Sequence, residues 1–122
     1  MPVSEAVLSF DAPTWQPSVD IYEMADALLV QVEAPGLQLD DLNLSLDGGK
    51  LIVEGNRVRP PLPSPARVAL VEMTYGKFRR VLPLPTDVDG DAIEATYDAG
   101  VLQIHIPRVP RQAPKRLRIS AG

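Results

Sequence analysis

The chain has 122 residues, of which 45% are hydrophobic and 23% charged, a composition typical of one soluble globular domain. No apolar run approaches the roughly 20 residues that cross a bilayer, so we expect no membrane span. The absence of cysteine excludes disulfides, thiolate metal sites and cysteine nucleophiles.

The net charge of −4 is distributed unevenly. Residues 1–56 carry ten Asp or Glu and one Lys, whereas residues 108–122 carry five Lys or Arg and no acid. Because no aromatic residues interleave with the basic ones, we interpret the basic end as a solvated tail and predict no nucleic-acid partner. Residues 1–11 contain no Lys or Arg and make a poor signal peptide, so we expect a cytoplasmic location.

Along the chain, thirteen prolines interrupt any long helical pattern and leave short stretches of alternating apolar and polar residues. These stretches predict strands over residues 18–23, 27–33, 42–47, 50–55, 68–73, 77–84, 92–97 and 101–106. Gly48-Gly49 and residues 98–100 predict two hairpin turns, and residues 38–42 allow one short turn of helix. A proline-rich loop covers residues 57–67. Seven or eight short strands at this spacing indicate an all-β antiparallel sandwich or barrel.

Two patterns resemble ligand loops without completing them. Lys50 follows two glycines, but a phosphate loop requires glycine at position 44 and Ser or Thr at position 51, and both are leucine. Asp87, Asp89 and Asp91 alternate as in a calcium loop, but residues 92 and 98 are not the glycine and glutamate that this loop requires. We therefore interpret them as a hairpin turn and a solvated acidic turn.

His105 is the single histidine, and its strand position faces away from the apolar residues around it. One histidine cannot build a typical zinc site, and no serine arrangement completes a triad with it. The sequence thus makes no positive case for catalysis, and we predict a protein that is not an enzyme and needs no cofactor or metal.

Three motifs in order resemble the α-crystallin domain of small heat shock proteins, over about residues 17–107. Residues 95–102 read Ala-Thr-Tyr-Asp-Ala-Gly-Val-Leu, against the family's Ala-x-x-x-Asn-Gly-Val-Leu. Residues 33–37 carry its Pro-Gly, and residues 51–57 read Leu-Ile-Val-Glu-Gly-Asn-Arg against Leu-x-Ile-x-Gly-Glu-Arg. Residues 72–80 are similar to Glu-Arg-x-x-Gly-x-Phe-x-Arg. Ala99 and Met73 depart from the family's asparagine and arginine.

The resemblance implies an immunoglobulin-like β-sandwich whose long loop carries a strand that pairs with the first strand of a partner subunit. Residues 68–73 of one subunit would then extend residues 18–23 of another. The excursion between Asn56 and Gly76 is itself long for a compact domain, and its prolines hold it away from the body. The implied dimer-interface residues are Val19, Ile21, Val68, Leu70, Glu72 and Arg80.

At the end of the chain, Leu117-Arg118-Ile119 resembles the family's Ile-x-Ile tail motif. Alternate residues of an extended segment point the same way, so Leu117 and Ile119 can enter one groove. The resemblance implies a groove along Leu42, Leu44 and Leu46, facing the strand near residues 92–96. This divides the chain into a flexible arm (1–16), the domain (17–107) and a flexible extension (108–122).

The implied function is that of an ATP-independent holdase, which binds partly unfolded client proteins and suppresses their aggregation under stress. We expect a homodimer as the basic unit, with larger homo-oligomers formed through the tail. A second hypothesis is a co-chaperone or adaptor module on a related sandwich that binds one specific protein partner.

Overall fold

The structure is a computed structural model that describes residues 15–110 and 114–122, so the predicted N-terminal arm lies almost wholly outside the described residues. Two 3₁₀ segments, Leu39–Asp41 and Gly90–Ala92, interrupt an otherwise all-β chain. The strands within the described residues are β1 (Val19–Glu23), β2 (Ala27–Glu33), β3 (Leu42–Asp47), β4 (Lys50–Arg57), β5 (Gly76–Pro83), β6 (Glu94–Asp98) and β7 (Val101–Pro107).

The strands form two antiparallel sheets. One sheet has the order β1-β2-β7-β6, and the other has the order β3-β4-β5. The predicted antiparallel sandwich is therefore confirmed, and the short turn expected at residues 38–42 is the first 3₁₀ segment. Both predicted hairpins form, β3 with β4 and β6 with β7.

The core lies between the inward faces of the two sheets. Period-2 alternation along β2, β4, β5 and β7 turns one set of aliphatic side chains inward, and these side chains are almost fully buried. The core cluster includes Leu28, Val30, Val32, Leu51, Val53, Phe78, Leu82, Leu102, Ile104 and Ile106. Burying each such side chain contributes roughly 1.5–3 kcal/mol, so this cluster is what holds the sheets together.

The hairpin between β6 and β7 packs against the turn that follows β2. The Gly100 carbonyl accepts a hydrogen bond from the Ala34 amide at 2.8 Å. A Cβ added to Gly100 would lie 2.9 Å from Pro35 Cβ, so the approach of the two turns requires glycine at this position. Gly100 also has a φ of 80°, which disfavours any other residue.

Residues 58–75, called loop 58–75 below, contain no strand in the single chain. The strand predicted at residues 68–73 is absent, and its Val68 and Leu70 side chains are 68% and 76% exposed. A strand needs a neighbour to receive its backbone hydrogen bonds, and no strand of the described chain pairs with this segment.

The strand predicted at residues 92–97 begins later than expected, at Glu94. The Asp89 side chain accepts a hydrogen bond from the Asp91 amide at 3.2 Å and so favours a 3₁₀ turn over residues 90–92. Beyond β7, Arg108 and Val109 still donate backbone hydrogen bonds to Asp26 and Asp87. Contacts with the domain therefore continue past residue 107.

The Ala99 backbone provides a test of the hairpin. Ala99 has a φ of 51°, a conformation that costs an alanine roughly 1–2 kcal/mol and that asparagine tolerates better. We expect Ala99→Asn to raise the free energy of unfolding by about 0.5–1 kcal/mol, measured by urea denaturation at fixed protein concentration. Ala25→Asn, at an exposed alanine without positive φ, is the control. Equal gains from both variants would contradict the strain at residue 99.

Candidate functional site

The described part of the chain offers no assembled chemical site. Across residues 15–110 and 114–122, no three His, Asp or Glu side chains are grouped so as to hold a metal ion. His105 is exposed on the outer face of its sheet, as predicted from its strand position. Within the same residues, no helix has the length and apolarity needed to cross a membrane. The candidate binding surfaces are the edges of the two sheets.

The first pair of edges consists of β1 and β5, which belong to different sheets. Trp15 Nε1 donates a hydrogen bond to the Gly76 carbonyl at 2.9 Å, at the start of β5. Arg80 Nη1, on β5, donates to the Pro17 carbonyl at 2.8 Å, just before β1. These bonds bring the two edge strands to the same side of the sandwich, and loop 58–75 leads directly into β5.

The residues predicted for a dimer interface lie around this side of the sandwich. Val19 is half-buried and packs against the core, whereas Ile21, on the same face of β1, is 45% exposed. Val68, Leu70 and Glu72 are all exposed on loop 58–75. Within one chain, no backbone pairing joins loop 58–75 to β1, because β1 pairs with β2 alone among the described strands.

The second pair of edges is β3 in one sheet and β6 in the other. Leu42 and Leu44 are half-buried against the core, as are Ile93 and Tyr97 on the side of β6. Leu46 remains 43% exposed. These five side chains form an incompletely covered apolar strip, which we call the β3–β6 seam.

One wall of the seam differs from the prediction at its start. Its far wall was expected to be a strand over residues 92–96, but that prediction is wrong at Ala92, which belongs to the second 3₁₀ segment. Leu46 Cδ2 lies 2.7 Å from the position that a Cβ on Gly90 would occupy, so this segment closes the seam beside Leu46. The wall is therefore part 3₁₀ turn and part β6.

Acidic residues surround the seam. Residues 81–107 contain five Asp or Glu and no Lys or Arg. Beside the seam wall, Asp91 and Glu94 are exposed and Asp89 is half-buried. By contrast, the described tail residues 114–122 carry three basic residues and no acid. The seam and the tail thus have opposite charge.

The predicted tail motif is fully available. Leu117 is 76% exposed and Ile119 is 95% exposed, in a segment without regular structure. The seam and the tail motif of one chain are not in contact in the structure, because both tail side chains face solvent.

A cluster of contacts that the sequence did not predict lies where loop 58–75 joins the domain. The Trp15 ring packs edge-on against Phe78, with centroids 5.0 Å apart. The Arg57 guanidinium lies over the same Trp15 ring, 4.1 Å from its centroid. A Cβ on Gly55 would lie 2.3 Å from Phe78 Cε1, so glycine is what admits the Phe78 ring.

One part of this cluster had a usable signal in the sequence. A glycine inside a strand pattern marks a close approach, and Gly55 interrupts the apolar run of β4. The contact of Arg57 with Trp15 had no such signal, because it joins residues 42 positions apart that belong to no common motif.

Comparison with known proteins gives one family. The model of the Hsp20/alpha crystallin family matches residues 20–120. Heat shock protein 16 of Schizosaccharomyces pombe is 32% identical over 102 residues, covering 82% of this chain and 71% of that protein. Spore protein SP21 of Stigmatella aurantiaca is 30% identical over 110 residues, covering 90% of this chain and 65% of that protein.

Solved structures give the same fold. A small heat-shock protein from Xylella fastidiosa matches with a TM-score of 0.76 at 31% identity, covering 88% of this chain and 98% of that chain. Heat shock protein 16.0 from Schizosaccharomyces pombe matches with a TM-score of 0.74 at 30% identity, covering 87% and 99%.

Proposed function

Because this chain belongs to the Hsp20/alpha crystallin family, a family of small heat shock chaperones, we propose that it is an ATP-independent holdase built from dimers. In this role it binds partly unfolded clients and suppresses their aggregation. The observation that carries the proposal is that one chain has both open sheet edges and exposed apolar segments. Such surfaces pair with extended polypeptide by adding backbone hydrogen bonds.

The dimer forms by exchange of loop 58–75. The loop holds Val68 and Leu70 away from its own domain, and β1 has a free edge with Ile21 incompletely covered. Residues 68–73 of one chain would become a strand against β1 of the other, and the same pairing would occur twice by symmetry. Glu72 lies within the exchanged residues, and Arg80 lies on β5, on the same side of the sandwich as β1. These two residues would form the charged rim of the contact.

Larger assemblies form through the tail. Leu117 and Ile119 enter the β3–β6 seam of another subunit, and the basic tail residues face its acidic surround. Burying two such side chains contributes roughly 1.5–3 kcal/mol each, while ordering the tail and associating cost a comparable amount. A single dock is weak and reversible, so an assembly depends on many docks acting together.

Client binding uses the same surfaces. An unfolding protein exposes extended apolar segments, which resemble the tail motif and loop 58–75 in chemistry. Reversible tail docking leaves seams free for part of the time, and no nucleotide is required to open them. The structure of the Xylella fastidiosa protein is described as a distinct high order structure, which supports assembly as a family property.

A direct test is aggregation of a model enzyme. Citrate synthase heated with an equimolar amount of this protein, without ATP, should scatter markedly less light than with an equimolar inert protein. The reason is that open edges bind the exposed segments before these segments bind each other. Unchanged scattering would contradict the holdase proposal. Protection of one enzyme but not of several unrelated ones would favour a dedicated adaptor module instead.

The tail motif is tested separately. Replacing Leu117 and Ile119 by serine should remove species larger than the dimer in native mass spectrometry and leave the dimer intact, because the dock loses its apolar anchors. Arg118→Ser, which alters the opposite side of the same segment, should retain most of the larger species. Unchanged assemblies in the double variant would contradict docking through these two residues.

A further inference from the structure

We propose that Arg57 is the positioning residue of loop 58–75, setting the direction in which the loop leaves the domain before any partner binds. This inference rests on the exchange of the loop proposed above. Arg57 is the last residue of β4, and the loop departs from it.

Arg57 joins the departing end of the loop to its returning end. Its Nη2 donates to the Thr74 hydroxyl at 3.0 Å, and Nε donates to the Thr74 carbonyl at 2.9 Å, with Nη2 also directed at that carbonyl. The β4–β5 ladder already pairs Arg57 with Gly76, but this pairing stops at Gly76. The side chain extends the closure by two residues, to Thr74.

The same guanidinium also holds the closed base of the loop against the domain. Nη1 donates to the Pro35 carbonyl at 3.3 Å, in the turn that follows β2. The planar group stacks on the Trp15 ring, and Trp15 is fixed by its bond to the Gly76 carbonyl and by the Phe78 ring. Arg57 therefore contacts the N-terminal segment, the β2 turn and the returning loop at once.

Only an arginine has the geometry for this set of contacts. A guanidinium presents five N–H donors in one plane and can stack on an aromatic ring while donating along its edges. A lysine keeps the positive charge and a weaker attraction to the ring, but it cannot reach the Thr74 and Pro35 carbonyls together. Charge alone is therefore not what the position requires.

Fixing the base of the loop matters because ordering a flexible segment costs free energy when it binds. Proline-rich residues 60–65 stiffen the departing side of the loop, and the Arg57 contacts fix the returning side. A loop already directed away from its own domain loses less conformational freedom when it pairs with β1 of a partner. Positioning by Arg57 should hence lower the dimer dissociation constant without adding a contact across the interface.

The experiment compares Arg57→Lys with Arg79→Lys in the full chain. Arg79 is an exposed β5 arginine whose ion pair with Glu54 spans 3.9 Å, so the control removes the same chemical group from a nearby strand. We expect the dimer dissociation constant from sedimentation velocity to rise about ten-fold in Arg57→Lys, on the order of the entropic cost of ordering about one further loop residue on pairing. Arg79→Lys should change it less than two-fold.

A spectroscopic readout accompanies the measurement, because Trp15 is the only tryptophan. Its emission should change in Arg57→Lys, which removes the stacked guanidinium, and should not change in Arg79→Lys. Where Arg57→Lys fails to fold by circular dichroism, Thr74→Val decides, since it removes one bond to Arg57 and should raise the dissociation constant two- to three-fold.

The possible results distinguish a failure of the Arg57 positioning role from a failure of the loop exchange. If the wild-type chain forms a dimer and the folded Arg57→Lys variant has the same dissociation constant, the positioning role is overturned and the exchange is not. Equal weakening by Arg79→Lys would overturn it as well. A wild-type chain that is monomeric at tens of micromolar would overturn the exchange, and the inference with it.

Discussion

A two-sheet sandwich buries the inward face of each sheet, but the backbone of each outer strand has a strand neighbour on one side only. In this chain those strands are β1 and β6 in one sheet and β3 and β5 in the other. Backbone N–H and C=O groups at such edges are templates for any extended segment that meets them, and proteins usually protect them. This chain combines such edges with exposed apolar segments, and the family role as a chaperone is consistent with that combination.

In the proposed function, one side of the sandwich serves dimerisation and the other serves reversible docking. On the β1–β5 side, a long loop with exposed Val68 and Leu70 is fixed to the domain at its base by Arg57. On the β3–β6 side, the seam is lined by half-buried leucines and surrounded by acids, and the free tail is basic. The first arrangement favours a stable exchange, whereas the second favours weak docks that open to clients.

The turn after β2 connects the two sides physically. Tyr97, at the seam, donates from its hydroxyl to the Ala34 carbonyl at 2.6 Å, and the neighbouring Pro35 carbonyl accepts from Arg57. A short turn thus contacts both the seam and the base of loop 58–75. The close approach of Gly100 to Pro35 fixes this turn, and that approach gives a structural reason for the Gly-Val-Leu hairpin motif.

Much of the fold could be predicted because it depends on local patterns. Alternation placed most strands within a residue or two, and the Gly48-Gly49 turn was set by positive φ values that glycine adopts readily. The strand predicted at residues 68–73 is absent from the single chain, where no described strand pairs with this segment. The 3₁₀ turn at residues 90–92 was missed because it depends on one side-chain bond from Asp89.

For the candidate site, the sequence predicted the tail and groove residues but not the contacts that fix the base of loop 58–75. Leu117, Ile119 and the three β3 leucines were identified through their spacing and the family motif. The contacts of Arg57 with Trp15 and Thr74 link distant positions and leave no periodic pattern, so only the folded structure reveals them.

In the proposed dimer, loop 58–75 supplies a strand to β1 of a second chain. Amide hydrogen exchange of residues 68–73 measures this pairing directly in the unmodified protein. We expect slow amide exchange at concentrations where the dimer is populated, and fast exchange after dilution to monomer. Fast exchange of residues 68–73 in a sample that is still dimeric would contradict it.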